Sequence, residues 1–337
     1  MRAILQMSLA ASPLILCIYL ARALLGTRVP AQAYLALWGL ALCRLLTPVW
    51  LPMRGETFKP VLNHVYGGIF NITQQTVALV DDRLLFALWL LGFISCLSLE
   101  LIDHFKHRHI WREALPIQNE TARAWCAAHG GKRRVRVVRA QLAASPFTCG
   151  TLRPLIVLPE YMEKATPRRM EEVLTHEGAH VRWFHPLLRG LTLFAVCLHW
   201  FNPLAWLMLT MASRDMELAC DAAVARRMGR GAALDFAKLL KKMDELEETP
   251  SVLSTVQSLS ASSLQERYEA LARPKERSWT LTAFIIALLL IIFSLVNLAP
   301  NSTHILEKRH TYSGEVADQY YQRLENMGYE MLKEKVI

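Results

Sequence analysis

His176-Glu177-Gly178-Ala179-His180 sets the topology that the rest of this 337-residue chain has to satisfy. On a helix, positions i and i+4 share a face, so His176 and His180 can address one metal ion, with Glu177 between them in reach of a water on it. Thirty-seven residues after His180 stands Glu217-Leu218-Ala219-Cys220-Asp221, which offers Glu217 as a third ligand and Asp221 one turn later. Three protein ligands with one position open is the arrangement of a catalytic zinc, whereas a structural site is closed by four. Thr166 suits an N-cap, Pro167 the first helical position, and Met170, Val173 and Leu174 begin an apolar stripe, so a helix is predicted over about 167–184. The competing reading of the five residues alone is an ordinary helix carrying two solvated histidines.

A shared ion constrains the segment between the ligands. Residues 187–212 are mostly apolar and long enough to cross a membrane, yet His180 precedes them and Glu217 follows. A single crossing would put the ligands on opposite sides. Asn202-Pro203 falls near the middle, where proline breaks a helix and asparagine suits a turn. A helical hairpin that dips into the membrane or packs along it is therefore expected.

The composition agrees with a membrane protein: 53% of residues are hydrophobic. Four segments account for this, 3–25, 33–52, 84–102 and 279–299, each long enough to span about 30 Å of hydrocarbon. The first is followed at once by a second apolar run and lacks a clear cleavage site, so it is read as retained rather than as a signal peptide. Lys106, Arg108 and Arg112 follow the third span, and Arg273, Lys275 and Arg277 precede the fourth. Both clusters fit the positive-inside rule and place 103–278 in the cytosol. They also explain the excess of 38 basic over 29 acidic residues, and no basic run is interleaved with aromatics, so direct nucleic-acid binding is not expected. The seven cysteines fall in spans or in the inferred cytosolic part, which argues against a disulfide framework; Cys220 reads as a packed small side chain. The domains expected are 1–102 (three spans), 103–278 (a cytosolic catalytic part), 279–299 (the fourth span) and 300–337 (a short outer tail).

Within 103–278, residues 116–129 look helical, Val135–Val138 and 152–159 read as strands, and Ser145–Gly150 between them is turn-like. A small sheet thus precedes the HExxH helix, and one of its edges would suit an extended peptide; a plain structural sheet is equally compatible. Helices are expected to Met228, over 232–248 and over 264–273, with a loop at 249–263.

Five stretches taken together, SPFTCGTLRPLIVLP (145–159), LTHEGAHVRWFHP (174–186), HWFNPLAWL (199–207), RDMELACDAAV (214–224) and SLQERYEAL (263–271), resemble the BlaR1/MecR1-type integral-membrane zinc metallopeptidases, peptidase family M56. Gly178 departs from the family's usual HELAH. The tail after 300 contains no SxxK, so the family's β-lactam sensing does not carry over. The resemblance implies a mainly α membrane protein with a small β-sheet, in which four transmembrane helices surround a cytosolic-facing gluzincin-like domain with a membrane-associated helical hairpin. It implies Zn²⁺ on His176, His180 and Glu217, Glu177 as general base and then acid, and Asp221 hydrogen-bonded to a ligand histidine. His199, Tyr161 and Arg214 are low-ranked candidates for stabilising the oxyanion, and His185 and His199 read better as structural. The function implied is a signal-transducing antirepressor in the bacterial cytoplasmic membrane that cleaves a cytosolic protein, such as a winged-helix repressor, or itself. Its partners would be that protein substrate and the lipid bilayer, with a homodimer left open. The alternatives are a housekeeping membrane metallopeptidase of the HtpX/Ste24 kind and a non-catalytic receptor with a structural zinc.

Overall fold

The computed structural model describes residues 2–47, 51–52, 82–129, 133–143, 145–232, 234–236, 238 and 266–271, with parts of 278–289 and 298–299. In chain order the elements are α1 (Arg2–Leu25), α2 (Ala31–Leu46), β1 (Leu51–Pro52), α3 (Asp82–Arg112), β2 (Leu115–Pro116), α4 (Glu120–His129), β3 (Arg136–Ala140), β4 (Phe147–Cys149), β5 (Leu155–Pro159), α5 (Pro167–Arg182), α6 (His185–Leu198), α7 (Pro203–Met228) and β6 (Leu298–Ala299). Residues 266–271 are also helical. The expected tail, the loop at 249–263 and most of 232–248 lie outside the described residues, as does much of 279–299. Two compact units divide the chain, Met1–Pro48 with Thr76–Val296, and Val49–Gln75 with Asn297–Ile337. In the smaller unit β1 pairs with β6 in parallel.

The larger unit is mainly helical with a small mixed sheet, and it has two main apolar clusters. One gathers Leu14 and Ile18 of α1, Trp38 and Leu45 of α2, Val196 of α6 and Met208 of α7. The other packs α4 and α5 on the sheet through Trp125, Ile156, Leu158, Met170, Val173 and Leu174. The sheet has the order β2-β3-β5-β4, with β3 and β5 parallel and the outer pairs antiparallel. All five residues of central β5 are buried, which is why its sequence is a continuous apolar run rather than an alternation. Ser145–Gly150 is not the plain turn that its composition suggests. Pro146 and Gly150 punctuate the ends, but Phe147-Thr148-Cys149 between them pairs with β5 as an edge strand.

The HExxH helix starts as its sequence predicts. Thr166 caps it, its Oγ1 accepting from Arg169 N at 3.4 Å, and Pro167 opens the first turn. The hairpin is present as α6 and α7, reversing at His199–Asn202. Asn202 caps α7, with Oδ1 accepting from Leu204 N at 2.9 Å, and its Nδ2 donates to Ser8 Oγ and Ser12 Oγ of α1 at 2.7 and 3.1 Å. His199, fully buried, donates from Nε2 to the Leu45 carbonyl at 2.9 Å, the structural role expected of it. Helix α3 meets the same corner. Trp89 Nε1 donates to Leu198 O at 3.0 Å and Trp200 Nε1 to Trp89 O at 3.2 Å, an approach open only because Gly92 carries no Cβ, which would lie 2.2 Å from the Trp200 ring.

The expectation of four spans is met in part. Ala3–Arg28 and Arg83–Lys106 are long and apolar enough to cross a membrane. The second span, predicted at 33–52, is the 16-residue α2, which stops at Leu46. Thr47 is extended (φ −106, ψ 118), as befits a residue before proline. The third runs past its predicted end at 102 to Arg112, since no proline or glycine interrupts 103–112. Of 279–299, the described residues from Thr280 to Leu289 are helical. In α3 only 6% of the most apolar window is buried, and Leu88, Leu91, Ile94 and Leu99 face outward, a band suited to lipid.

Gly178 on α5 faces Trp125 on α4. A Cβ there would lie 2.7 Å from indole Cζ2 and 3.2 Å from Cη2. Alanine at a helix interior ordinarily gains about 1 kcal/mol over glycine, but overpacking a well-filled contact costs about 1–3 kcal/mol. Gly178→Ala is expected to destabilise the protein by up to about 2 kcal/mol in denaturant titrations, and adding Trp125→Leu should reverse the sign of the glycine substitution. An alanine variant more stable than the wild type would show that the indole yields.

Candidate metal centre

Helices α5 and α7 bring the separated motif residues together. His176 Nε2 lies 3.3 Å from His180 Nε2, Glu217 Oε2 lies 3.3 Å from His176 Nε2, and Glu217 Oε1 lies 3.6 Å from His180 Nε2. Two donors bound to a tetrahedral zinc at about 2.0–2.1 Å stand about 3.3–3.4 Å apart, so the spacing of the two Nε2 atoms and the Glu217 carboxylate is close to what one such ion needs. The remaining nitrogens point elsewhere. His176 Nδ1 is 3.1 Å from Asp221 Oδ1, and His180 Nδ1 is 3.0 Å from His185 Nδ1. Glu177 stands beside the pair, with Oε2 accepting from Thr148 Oγ1 of β4 at 2.7 Å.

A second donor set, His176, His180 and Cys220, also lies within 4.8 Å. Cys220 is the poorer third member. Its Sγ is 3.6 Å from His185 Nδ1, the atom that faces His180 through Nδ1 rather than through the converging Nε2. Burial, reinforced by the neighbouring carboxylates, holds its thiol well above the ordinary range.

The charges are matched inside the site. Burial opposes protonation of His176, but its hydrogen bonds to Asp221 and Glu217 outweigh it and push the imidazole up to about 9. Burial brings His180 down to about 4, so it is neutral at pH 7. Burial alone would raise Glu217 and Asp221, yet both are held below the usual carboxylate range, Glu217 chiefly by His180 and Arg267 and Asp221 chiefly by Arg267. Burial raises Glu177, opposed by His176 and the Thr148 hydrogen bond.

These groups open on a cleft of about 270 Å³ lined by β4 residues Phe147 and Thr148, by His176, Glu177 and His180, and by Glu217. A larger cavity, about 450 Å³, is lined by Arg22, Tyr34, Asp215 and Glu266 and lacks the histidine pair. Tyr161 and Arg214 line neither wall of the cleft. Tyr161 is 52% exposed, and Arg214 pairs with Glu266.

Three residues beyond the motifs belong to the site. Thr148 was hidden inside a stretch that reads as a turn. His185 read as structural but faces His180. Arg267 grips Asp221 with Nε and Nη2 at 2.6 and 2.7 Å and reaches Glu217 Oε2 with Nη1 at 3.2 Å. It stands 46 residues from Asp221, where no local spacing points to it.

The family model for BlaR1 peptidase M56 matches residues 2–271. The regulatory protein BlaR1 of Bacillus licheniformis is 27% identical over 224 residues, 65% of this chain and 36% of that protein. The methicillin resistance mecR1 proteins of Staphylococcus aureus and Staphylococcus epidermidis are each 21% identical over 183 residues, 52% of this chain and 31% of theirs. The chain spans about a third of the length of these curated relatives. With the match covering most of its length, the chain belongs to the BlaR1 peptidase M56 family.

Proposed function

We propose that this chain is a membrane-embedded zinc endopeptidase that transmits a signal by cleaving a cytosolic protein, a transcriptional repressor being the leading class of substrate. The observation that carries this reading is the convergence of His176, His180 and Glu217 to within 3.3–3.6 Å, with Glu177 alongside. The signalling part leans on family membership and on the name of the Bacillus relative, a regulatory protein. The membrane part leans on the exposed apolar surface of α3 and on the basic residues at its C-terminal end.

His176, His180 and Glu217 would hold the ion, which when bound supplies a Lewis acid toward the scissile carbonyl and acidifies water. Glu177 takes a proton from the attacking water at Oε1, because Oε2 is committed to Thr148, and returns it to the leaving amine. Its raised pKa suits the return step. A histidine that binds through Nε2 keeps its proton on Nδ1. In His180 that proton goes to His185, and in His176 it faces Asp221 Oδ1 at 3.1 Å, so each ring has a polar partner on its far side. The substrate backbone would lie extended along edge strand β4, adding a strand to the sheet and carrying one peptide bond past Glu177.

Glu177→Gln should keep the metal and lose about 10²- to 10⁴-fold in cleavage of the natural substrate; comparing fragments in cells carrying wild type or variant checks this, and retained cleavage would remove Glu177 as the base. His176→Ala and Glu217→Ala should lower the zinc content of the purified protein by elemental analysis.

Two pH dependences follow from the charges. The metal-free His176 holds a proton up to about pH 9, so zinc must displace it. Affinity measured by chelator competition should rise about tenfold per pH unit on approaching 9 and level off above. Thr148→Val removes the donor that lowers Glu177, so the carboxylate loses its proton only at higher pH. The acid limb of kcat/KM should move upward; an unmoved limb would detach Thr148 from the base.

A further inference from the structure

The helical turn 266–271 reaches the metal centre from outside the α5–α7 pair. Arg267, 7% exposed, forks onto Asp221 at 2.6 and 2.7 Å and touches Glu217 Oε2 at 3.2 Å. Asp221 Oδ1 thus lies between Arg267 Nη2 and His176 Nδ1. One guanidinium holds both the carboxylate that orients a histidine and the carboxylate that completes the donor set. Its planar fork suits two oxygens at fixed spacing in a way an ammonium does not.

The neighbouring residue ties this turn to α1. Glu266 accepts from Arg22 Nη2 at 2.9 Å and from Arg214 Nη2 at 2.5 Å. Arg22 Nε donates to Asp215 Oδ1 at 2.8 Å, and Trp38 Nε1 of α2 donates to Asp215 Oδ2 at 2.8 Å. Asp215, Glu217 and Asp221 all stand on α7. Two consecutive residues therefore connect the donor set to the two N-terminal helices, through charges that are buried or partly buried. Removing one member leaves its partner unpaired in a poorly solvated place, so the network holds or loosens as a unit.

We propose that Arg267 is a positioning residue for the metal centre and that Glu266 couples it to α1, so the cation affinity of the site depends on how the 266–271 turn is docked against α1. This rests on the metal reading given above. Displacement of α1 would act on Asp221 and Glu217 through Glu266 and Arg267, with no direct contact on either histidine.

The test uses the full chain in lipid nanodiscs, with Zn²⁺ affinity from chelator competition and the visible absorption of bound Co²⁺ as a report on donor geometry. Arg267→Met should lower Zn²⁺ affinity by about 10- to 100-fold and alter the Co²⁺ spectrum at saturation. Arg267→Lys, which keeps the charge and loses the fork, should recover part of the affinity. Arg22→Met, at a residue that bonds to Asp215 and Glu266 rather than to the donors, should weaken binding in the same direction by a smaller factor. Wild-type affinity and spectrum in Arg267→Met would overturn the positioning role while leaving the metal reading intact. Wild-type affinity in Arg22→Met would overturn the coupling to α1. Where Arg267→Met fails to fold, Arg267→Lys decides: an affinity and spectrum identical to wild type would overturn the role of the fork. Absence of Zn²⁺ and Co²⁺ binding by the wild type, or equal binding by His176→Ala, would overturn both the inference and the metal reading.

Discussion

A polypeptide that leaves the donor cluster at His180 has to return to it by Glu217, and the reversal at His199–Asn202 makes the return possible. That corner is held from several sides. Asn202 caps α7 and reaches Ser8 and Ser12, His199 meets the Leu45 carbonyl, and two tryptophans exchange hydrogen bonds with backbone carbonyls between α3 and the turn. In an apolar setting each backbone group freed by a broken helix needs such a partner. With the corner in place, α6 and α7 run back along each other, and Cys220 late in α7 lies against His185 at the start of α6.

Helix α7 does two jobs along its 26 residues. Its first half fills the apolar cluster with α1 and α2, through Ala205, Met208 and Leu209. Its remainder carries three acids: Asp215 meets Arg22, while Glu217 and Asp221 share His176 and Arg267. Grouped acids in a partly buried place would repel one another and favour protonation. Arg267 of the 266–271 turn, with the facing histidines, reverses that tendency for Glu217 and Asp221, which stay ionised and able to serve as acceptors.

Features with a local cause were legible in the sequence. The Thr166–Pro167 start of α5, the Asn202–Pro203 break and the buried run of β5 each depend on side chains next to the backbone they shape. The pairing of HExxH with Glu217 was legible because the chemistry requires three donors and the helix period supplies the facing. Thr148 and Arg267 were not, since each acts through contacts across the fold, 29 and 46 residues away. The length of α2 is not legible from hydropathy, which carries on past Leu46 while the helix, with Pro48 ahead, does not. His185 was underrated because its partner sits five positions back, where the turn at Phe184 (φ 56) folds it onto His180.

The missing side chain at Gly178 has a bearing beyond local packing. An indole seated in that notch fits only where α5 presents a residue without a Cβ, so it favours one rotation of α5 about its long axis. The azimuth of two imidazoles on the opposite flank is thereby registered against α4, a helix that supplies none of the donors. The bearing of the two imidazoles is kept by a keyway cut into the back of their helix.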